Sequence, residues 1–323
     1  MPQREKTGEP QATVQPVSRW WQRALRWLVL AYIAAMLSLL TVWFAFFAEP
    51  QRLTVEEVPV PLRGWAATAA PVRVVLLADI HATVHDGPRL AQIVACTLQQ
   101  KPEAVLLLGD YFSALKPDNA MYAAQVAAHL APLARHCKVY YVCGNHDMGA
   151  AGKQLRAEFK KAGFVPLENA EHVLTFSNGQ KVKLRGLAFM PEPQSAGSYG
   201  AYAKRQERRF AREKLPPDMP LLVATHSPYY FLHYNMNADL VVAGHTHGGQ
   251  VCAPGGTPLV ADAPWTRATT RAGMHHGKSG SPVYVTRGLG LSRMPIRMFC
   301  PPEITVLLLQ PASLNCKTKC DSK

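Results

Sequence analysis

Short runs of β-branched and leucine residues recur along most of the chain: VRVVLLA (72–78), AVLLL (104–108), KVYYV (138–142), LLVAT (221–225), DLVVA (239–243), PVYVT (282–286) and EITVLLL (303–309). Apolar runs of roughly four to eight residues bounded by turn residues predict strands buried on both faces. Helical patterns at 88–100, 118–134 and 151–162 fall between several of them, and that alternation predicts a layered α/β architecture. Around Asn178-Gly179 the stretch 170–189 alternates apolar and polar on both sides, which predicts a hairpin and hence mixed sheets. The globular domain is expected over 72–311, followed by a frayed polar tail at 312–323.

A different pattern precedes this domain. From Trp27 to Ala48 there are 22 residues without a charge. At ~1.5 Å of rise per helical residue, such a run crosses the hydrocarbon core of a bilayer. Trp20, Trp21, Trp27 and Trp43 sit where an aromatic belt would place them. The run is long for a signal peptide, and Phe46-Phe47-Ala48 lacks a small-x-small cleavage pattern, so the reading is a single anchor. Residues 1–26 form a basic N-terminal tail, and 49–71, with Pro50, Pro59, Pro61 and Pro71, reads as a linker. Arg19, Arg23 and Arg26 before the span, against Arg52 and Arg63 after it, favour a cytoplasmic N-terminus and an extracytoplasmic domain. Seven cysteines with no evident pairing weigh against that orientation.

Of the 323 residues 48% are hydrophobic and 18% charged, which excludes a disordered chain, and the odd cysteine count excludes a closed disulfide scaffold. The net charge of +13 is dispersed apart from 199–214, where six basic residues meet two acidic ones. Arg205, Arg208, Arg209 and Arg212 fall at i, i+3, i+4 and i+7, on one face of a helix. Beside an anchor, this stripe suggests contact with anionic headgroups or a lid that steers an anionic, lipid-linked substrate. No aromatic interleaving accompanies the basic residues, so nucleic acid is not an expected partner. The sequence carries no oligomeric signal.

Chemistry-bearing residues follow the strands at once: Asp79-Ile80-His81, Gly109-Asp110, Gly144-Asn145-His146-Asp147, His226 and Gly244-His245-Thr246-His247. In α/β sheets, ligands bind beyond the carboxyl ends of strands, where such loops converge. Carboxylate, amide oxygen and imidazole suit borderline divalent cations such as Zn, Mn and Fe(II). Two aspartates, one asparagine and four histidines are too many for one tetrahedral ion. One carboxylate shared between two ions balances the set, and paired cations clamp both oxygens of an in-line phosphoryl displacement. The same group buried without metal would be electrostatically costly.

The ordered set D-x-H, G-D, G-N-H-D, H and G-H-x-H resembles the calcineurin-like metallophosphoesterase superfamily. Two longer strings, GHTHGGQ (244–250) and TRGLG (286–290) followed by RMFCPPEI (297–304), are similar to the membrane-associated YaeI/YkuE-type bacterial phosphodiesterases. Relatives of that group include LpxG-type lipid A enzymes that cleave UDP-2,3-diacylglucosamine. Group members often begin with a twin-arginine export signal, whereas here Arg208-Arg209 is internal. The resemblance implies a layered sandwich of mixed β-sheets flanked by helices, with two divalent metal ions (Mn, Zn or Fe). It implies that Asp79, His81 and His247 hold the first ion and that Asn145, His226 and His245 hold the second, with Asp110 bridging both. It further implies that His146 contacts the phosphate and protonates the leaving oxygen, with Asp147 orienting the His146 ring. The implied activity is hydrolysis of phosphodiester or pyrophosphate bonds in a phosphorylated small molecule or lipid, UDP-2,3-diacylglucosamine pyrophosphatase-like, at a bacterial plasma membrane. A general phosphodiesterase or nuclease, and a non-catalytic scaffold of the same fold, are the alternatives. Specificity is expected in the stripe and in loops 191–200 and 253–280.

Overall fold

A computed structural model describes residues 19–113, 123–191, 199–212, 218–261 and 267–312. It divides into two compact units, with the boundary between Trp43 and Phe44. In the first, helix α1 (Trp20–Trp43) buries no residue and carries no charge from Trp27 onward. The helical run Trp20–Gln51 contains an 18-residue stretch with a mean hydropathy of 2.2 and is long and apolar enough to cross a membrane.

The second unit contains strands β1 (Thr54–Leu62), β2 (Val72–Leu77), β3 (Ala104–Leu107), β4 (Lys138–Tyr141), β5 (Val165–Pro166), β6 (Glu171–Thr175), β7 (Lys181–Gly186), β8 (Leu221–Ala224) and β9 (Leu240–Ala243). They are followed by β10 (Cys252–Ala253), β11 (Thr257–Pro258), β12 (Gly273–His276), β13 (Pro282–Val285) and β14 (Glu303–Pro311). Two six-stranded sheets form, in the orders β1-β14-β2-β3-β4-β5 and β12-β13-β9-β8-β7-β6. Strands β2 to β5 run parallel in the first sheet, and β7, β8, β9 and β13 run parallel in the second. The predicted hairpin is the antiparallel pair β6–β7.

Side-chain alternation explains why the strands read as unbroken apolar runs. Val74 and Leu76 of β2 face a core shared with Leu222 and Ala224 of β8, whereas Val75 and Leu77 face helices. On that helical side lie α2 (Gly87–Gln99), α3 (Ala123–Leu130) and α4 (Gly149–Lys161). Helix α2 turns in Leu90, Ile93, Val94 and Thr97, the i, i+3, i+4, i+7 set of an amphipathic helix. On the far side of the second sheet, Leu221 and Val223 pack with Phe210 of α5 (Tyr199–Arg212) and with Tyr230 and Phe231 of α6 (Tyr229–His233). The short α7 (Arg267–Thr270) completes the described helices. The layers are helix, sheet, sheet, helix, as the sequence predicts.

Residues 49–71 are not a free linker. They contain β1, paired in parallel with β14 from Thr54↔Glu303 to Leu62↔Pro311. The prolines that suggested a linker fit an edge strand. Thr54 N–H donates to Pro302 O, so even-numbered residues aim their amides at β14. Pro59 and Pro61, which have no amide to give, belong to the outward set. The tails 1–18 and 313–323, and residues 118–122 of the helical pattern at 118–134, lie outside the described residues.

Candidate active site

The carboxyl ends of β2, β3 and β4 in one sheet and of β8 and β9 in the other deliver the chemistry-bearing residues to one rim. The sheets are stitched together there: His226 Nδ1 donates to Leu108 O across 2.8 Å. The chain turns so sharply after β2, β3 and β9 that Asp79, His81, Asp110, His245 and His247 all adopt left-handed backbone, with φ between 46° and 73°. Such conformations cost roughly 1–3 kcal/mol each in a non-glycine residue and concentrate where geometry serves a site. Gly144 makes room for the convergence. A β-carbon on it would collide with Asp110 Oδ1 and lie 2.7 Å from His226 Cε1.

Two donor clusters result. Asp79, His81 and His247 offer ligand atoms that all lie within 4.8 Å of one another, and so do Asp110, His226 and His245. In the first, His81 Nε2 is 3.1 Å from His247 Nε2, and His247 Nε2 is 3.8 Å from Asp79 Oδ1. In the second, His226 Nε2 is 3.0 Å from His245 Nδ1 and 3.1 Å from Asn145 Oδ1. Asp110 joins them: its Oδ2 lies 3.3 Å from His226 Nε2 and 3.6 Å from His81 Nε2.

The donor set fits divalent cations. His81 Nδ1 and His226 Nδ1 each face a carbonyl oxygen at 2.8 Å, and a carbonyl only accepts, so in the neutral ring the proton sits on Nδ1 and the Nε2 lone pair points into the cluster. Burial holds the His81 imidazole down to about 4, and burial next to His81 holds His247 well below its ordinary value, so both stay neutral. Burial pushes the Asp79 carboxyl up to about 6 against the pull of His226. Burial also disfavours the Asp110 carboxylate, but His226 and His81 outweigh it and hold the group well below the usual carboxylate range. Burial disfavours the His226 cation too, yet Asp110 outweighs it and lifts the imidazole to about 10. A buried carboxylate that keeps its charge between two imidazole pairs calls for positive charge at that point.

His146 is half-buried beside the clusters. Its N–H donates to Asp110 Oδ1 at 2.9 Å, and its ring meets the His81 ring edge-on at 5.2 Å. Burial lowers its imidazole pKa. Asp147 does not orient that ring. It is fully buried and accepts the main-chain N–H groups of Asp110 at 2.6 Å, Tyr111 at 2.9 Å and Gly144 at 2.8 Å. With its oxygens directed at backbone amides, the carboxylate fixes the two loops that carry Asp110 and Asn145. Burial and the nearby Asp110 push it up to about 7, with the Gly144 and Tyr111 amides pulling the other way.

Supporting residues without a strand-end position escape sequence reasoning. Arg89 donates to Ile80 O at 2.8 Å and Leu289 O at 3.2 Å, tying down the loop between Asp79 and His81. Arg297 is fully buried and donates to the carbonyls of Gly290, Cys300, Arg287 and Gly288 beneath His247. Phe189 stands 5.6 Å from the His226 ring. The site opens into a cleft of about 190 Å³ that also has Gln250, Val260, Thr270 and Arg293 in its walls, so the 253–280 loop contributes as expected. Most of the 191–200 loop, residues 192–198, lies outside the described residues.

Arg205, Arg208 and Arg209 are exposed on α5, while the Arg212 side chain lies outside the described residues. Helix α5 is not a detached lid. Phe210 is buried against Phe231 at 5.4 Å and lies under the Arg185 guanidinium, and Arg209 pairs with Glu171 at 2.7 Å.

Comparison with known proteins agrees with this architecture. Residues 72–249, more than half of the chain, match the calcineurin-like phosphoesterase family. The chain is 30% identical over 249 residues to phosphodiesterase YaeI of Escherichia coli, covering 75% of this chain and 83% of that protein. It is 28% identical over 249 residues to the uncharacterized metallophosphoesterase YkuE of Bacillus subtilis, covering 74% and 79%. A Danio rerio transmembrane protein with a metallophosphoesterase domain is 24% identical over 82% of this chain and 59% of its own length. The chain belongs to the calcineurin-like phosphoesterase family and is a metal-dependent hydrolase of phosphoester bonds.

Proposed function

We propose that the protein is a membrane-anchored, dinuclear metallophosphoesterase that cleaves a phosphodiester or pyrophosphate bond in a lipid-linked substrate. The observation that carries the site assignment is the position of Asp110 Oδ2, within 3.6 Å of a histidine from each cluster. Asp79, His81 and His247 would hold one cation and Asn145, His226 and His245 the other, with Asp110 available to both. Bound there, divalent cations supply Lewis acidity that acidifies water and offsets charge on the phosphoryl oxygens. Around them, Asn145 and His245, both only half-buried, leave the second position open to the cleft. His146 faces the same cleft, contacts the phosphoryl oxygens and gives its proton to the departing oxygen.

The membrane part of the reading rests on the apolar run Trp20–Gln51 and on the printed name of the fish relative. Exposed Arg205 and Arg208 on α5 supply cationic contacts for anionic headgroups. The arginines before the span support an orientation with the domain outside the cytoplasm of a bacterial plasma membrane. UDP-2,3-diacylglucosamine is the first substrate to try, because the motifs at 244–250 and 286–304 resemble a group whose relatives include LpxG-type enzymes.

The test is metal analysis of the purified full chain, together with turnover of bis(p-nitrophenyl) phosphate, UDP-2,3-diacylglucosamine and a prenyl diphosphate in mixed micelles. About two metal equivalents and turnover of a lipid substrate well above that of the simple diester are expected. Turnover of the diester alone rejects the lipid specificity, and full activity after chelation rejects the metal assignment.

A further inference from the structure

One wall of the cleft is not used by the chemistry described so far. Ser292, Arg293 and Met294 line the same cavity as Asn145, His146 and His247. Arg293 is exposed to solvent at the wall of this cavity. An exposed arginine ordinarily does no more than solubilise a surface, and its loop is free to wander.

This loop is held at several points. The Gln250 side chain, only 6% exposed, uses both ends of its amide on it. Gln250 Oε1 accepts Ser292 N–H at 2.7 Å, and Nε2 donates to Met294 O at 3.1 Å and Ile296 O at 3.2 Å. Main-chain bonds continue the attachment, with Met298 N–H donating to Gln250 O and Cys252 N–H to Met298 O, both at 2.9 Å. Arg297 N–H donates to Ala45 O at 3.0 Å on the other side. Within these restraints Arg293 and Gln250 both take left-handed backbone, φ 59° and 54°. Neither is a glycine, and such a backbone persists only where surrounding contacts hold it, which fixes where the Arg293 side chain leaves the loop.

The charges indicate what is presented to it. The two proposed metal positions already supply more positive charge than Asp79 and Asp110 cancel, enough for the singly charged phosphate of a simple diester. A further fixed cation in the same cleft matches a second negative charge on the substrate. We propose that Arg293 is a specificity-determining residue that binds an anionic group of the substrate beyond the phosphate being cleaved, and that Gln250 is its positioning residue. This rests on the phosphoesterase reading above and narrows it to esters carrying at least two negative charges.

The experiment compares two probes on the metal-loaded full chain in detergent: bis(p-nitrophenyl) phosphate, with one charge, and bis(p-nitrophenyl) diphosphate, with two. Arg293→Gln is expected to raise KM for the diphosphate by about tenfold or more and to leave the diester within about twofold, with Arg293→Lys intermediate. Gln250→Leu should raise the same KM with metal content unchanged, and the double variant should be no worse than Arg293→Gln alone. Equal shifts for both probes, or none, overturn the role of Arg293, and multiplying losses overturn that of Gln250. A second readout separates this from failure of the phosphoesterase reading. Calorimetric affinity for the non-hydrolysable methylene analogue of the diphosphate should fall in Arg293→Gln whether or not the wild type turns over either probe, and an unchanged affinity overturns the assignment.

Discussion

The main-chain N–H of Asp110 donates to Asp147 Oδ2 across 2.6 Å, although 37 positions separate the two residues in the chain. Together with the amides of Tyr111 and Gly144, it makes Asp147 the tie between two ligand-bearing loops. Asp147→Asn keeps one acceptor oxygen and turns an NH₂ toward the remaining donors. Leaving a buried amide unpaired costs about 1–3 kcal/mol, so the unfolding midpoint and metal content should both fall while the pH profile of kcat stays in place. Calorimetry and metal analysis check this. A variant with native stability and metal but a displaced pH profile would return Asp147 to a role in proton transfer.

Asp110 and His146 should separate cleanly on substitution. Asp110→Asn removes charge from the group that lies between the two clusters, and both metal content and turnover should drop. His146→Ala should lower turnover by about 10²–10⁴-fold with metal content intact, as expected for loss of a proton donor. Unchanged turnover in His146→Ala would show that the leaving oxygen takes its proton elsewhere.

Gly144→Ala tests how tightly the rim is packed. The added methyl has nowhere to go between Asp110 and His226, both in clusters proposed to hold metal. We expect Asp110 to be displaced, with metal affinity lost well before the fold is. Titrating metal into the variant while monitoring its circular dichroism distinguishes a damaged site from a damaged domain.

Acid stability should report the brace behind Asp79 and His81. Burial disfavours the Asp86 carboxylate, but Arg89 and Thr83 outweigh it and lower its pKa. A depressed folded-state value means that the contribution is present above the unfolded pKa, near 3.9, and disappears as pH falls through the lower folded value. The stability gap between wild type and Asp86→Asn should therefore be constant above about pH 5 and close below about pH 4. Urea unfolding at a series of pH values measures it. Arg89→Met, which also releases the Ile80 and Leu289 carbonyls, should weaken metal binding as well.

Charge reversal on α5 should be placed at Arg205 and Arg208. Arg209 pairs with Glu171, which also pairs with Lys183 and Arg185, so reversing it disturbs the helix's own seat. Arg205→Glu with Arg208→Glu should reduce activity on micellar substrate while sparing a soluble diester. Equal losses on both would reject a lipid-directed role for the stripe.

The central strands and their polar termini were legible in the sequence because β2, β3, β8 and β9 are buried on both faces and each ligand loop begins where the apolar run stops. The run VRVVLLA ends next to Asp79, and AVLLL ends next to Gly109-Asp110. What escaped was whatever depends on partners distant in sequence. β1 looked like a linker because its prolines are visible and its pairing to β14, 249 residues away at Thr54↔Glu303, is not. Asp147 was misassigned because its neighbour in sequence is His146, while its hydrogen bonds run to Asp110 and Tyr111. Gln250 and Arg293 carry no strand-end signature, and their association exists only in the folded loop.

The pairing of β1 with β14 also determines where the domain can be separated from the apolar helix that precedes it. Cleavage or truncation that leaves a chain starting at Val72 strips a nine-residue strand and lays bare the side of β14, a ready template for association with another copy. A chain starting at Phe44 retains that strand, the buried Glu49 and its pairing with Arg52, and Ala45 as the acceptor for Arg297. A chain cut to the intact domain therefore has a narrow window for its first residue, at the end of the apolar helix and no further along.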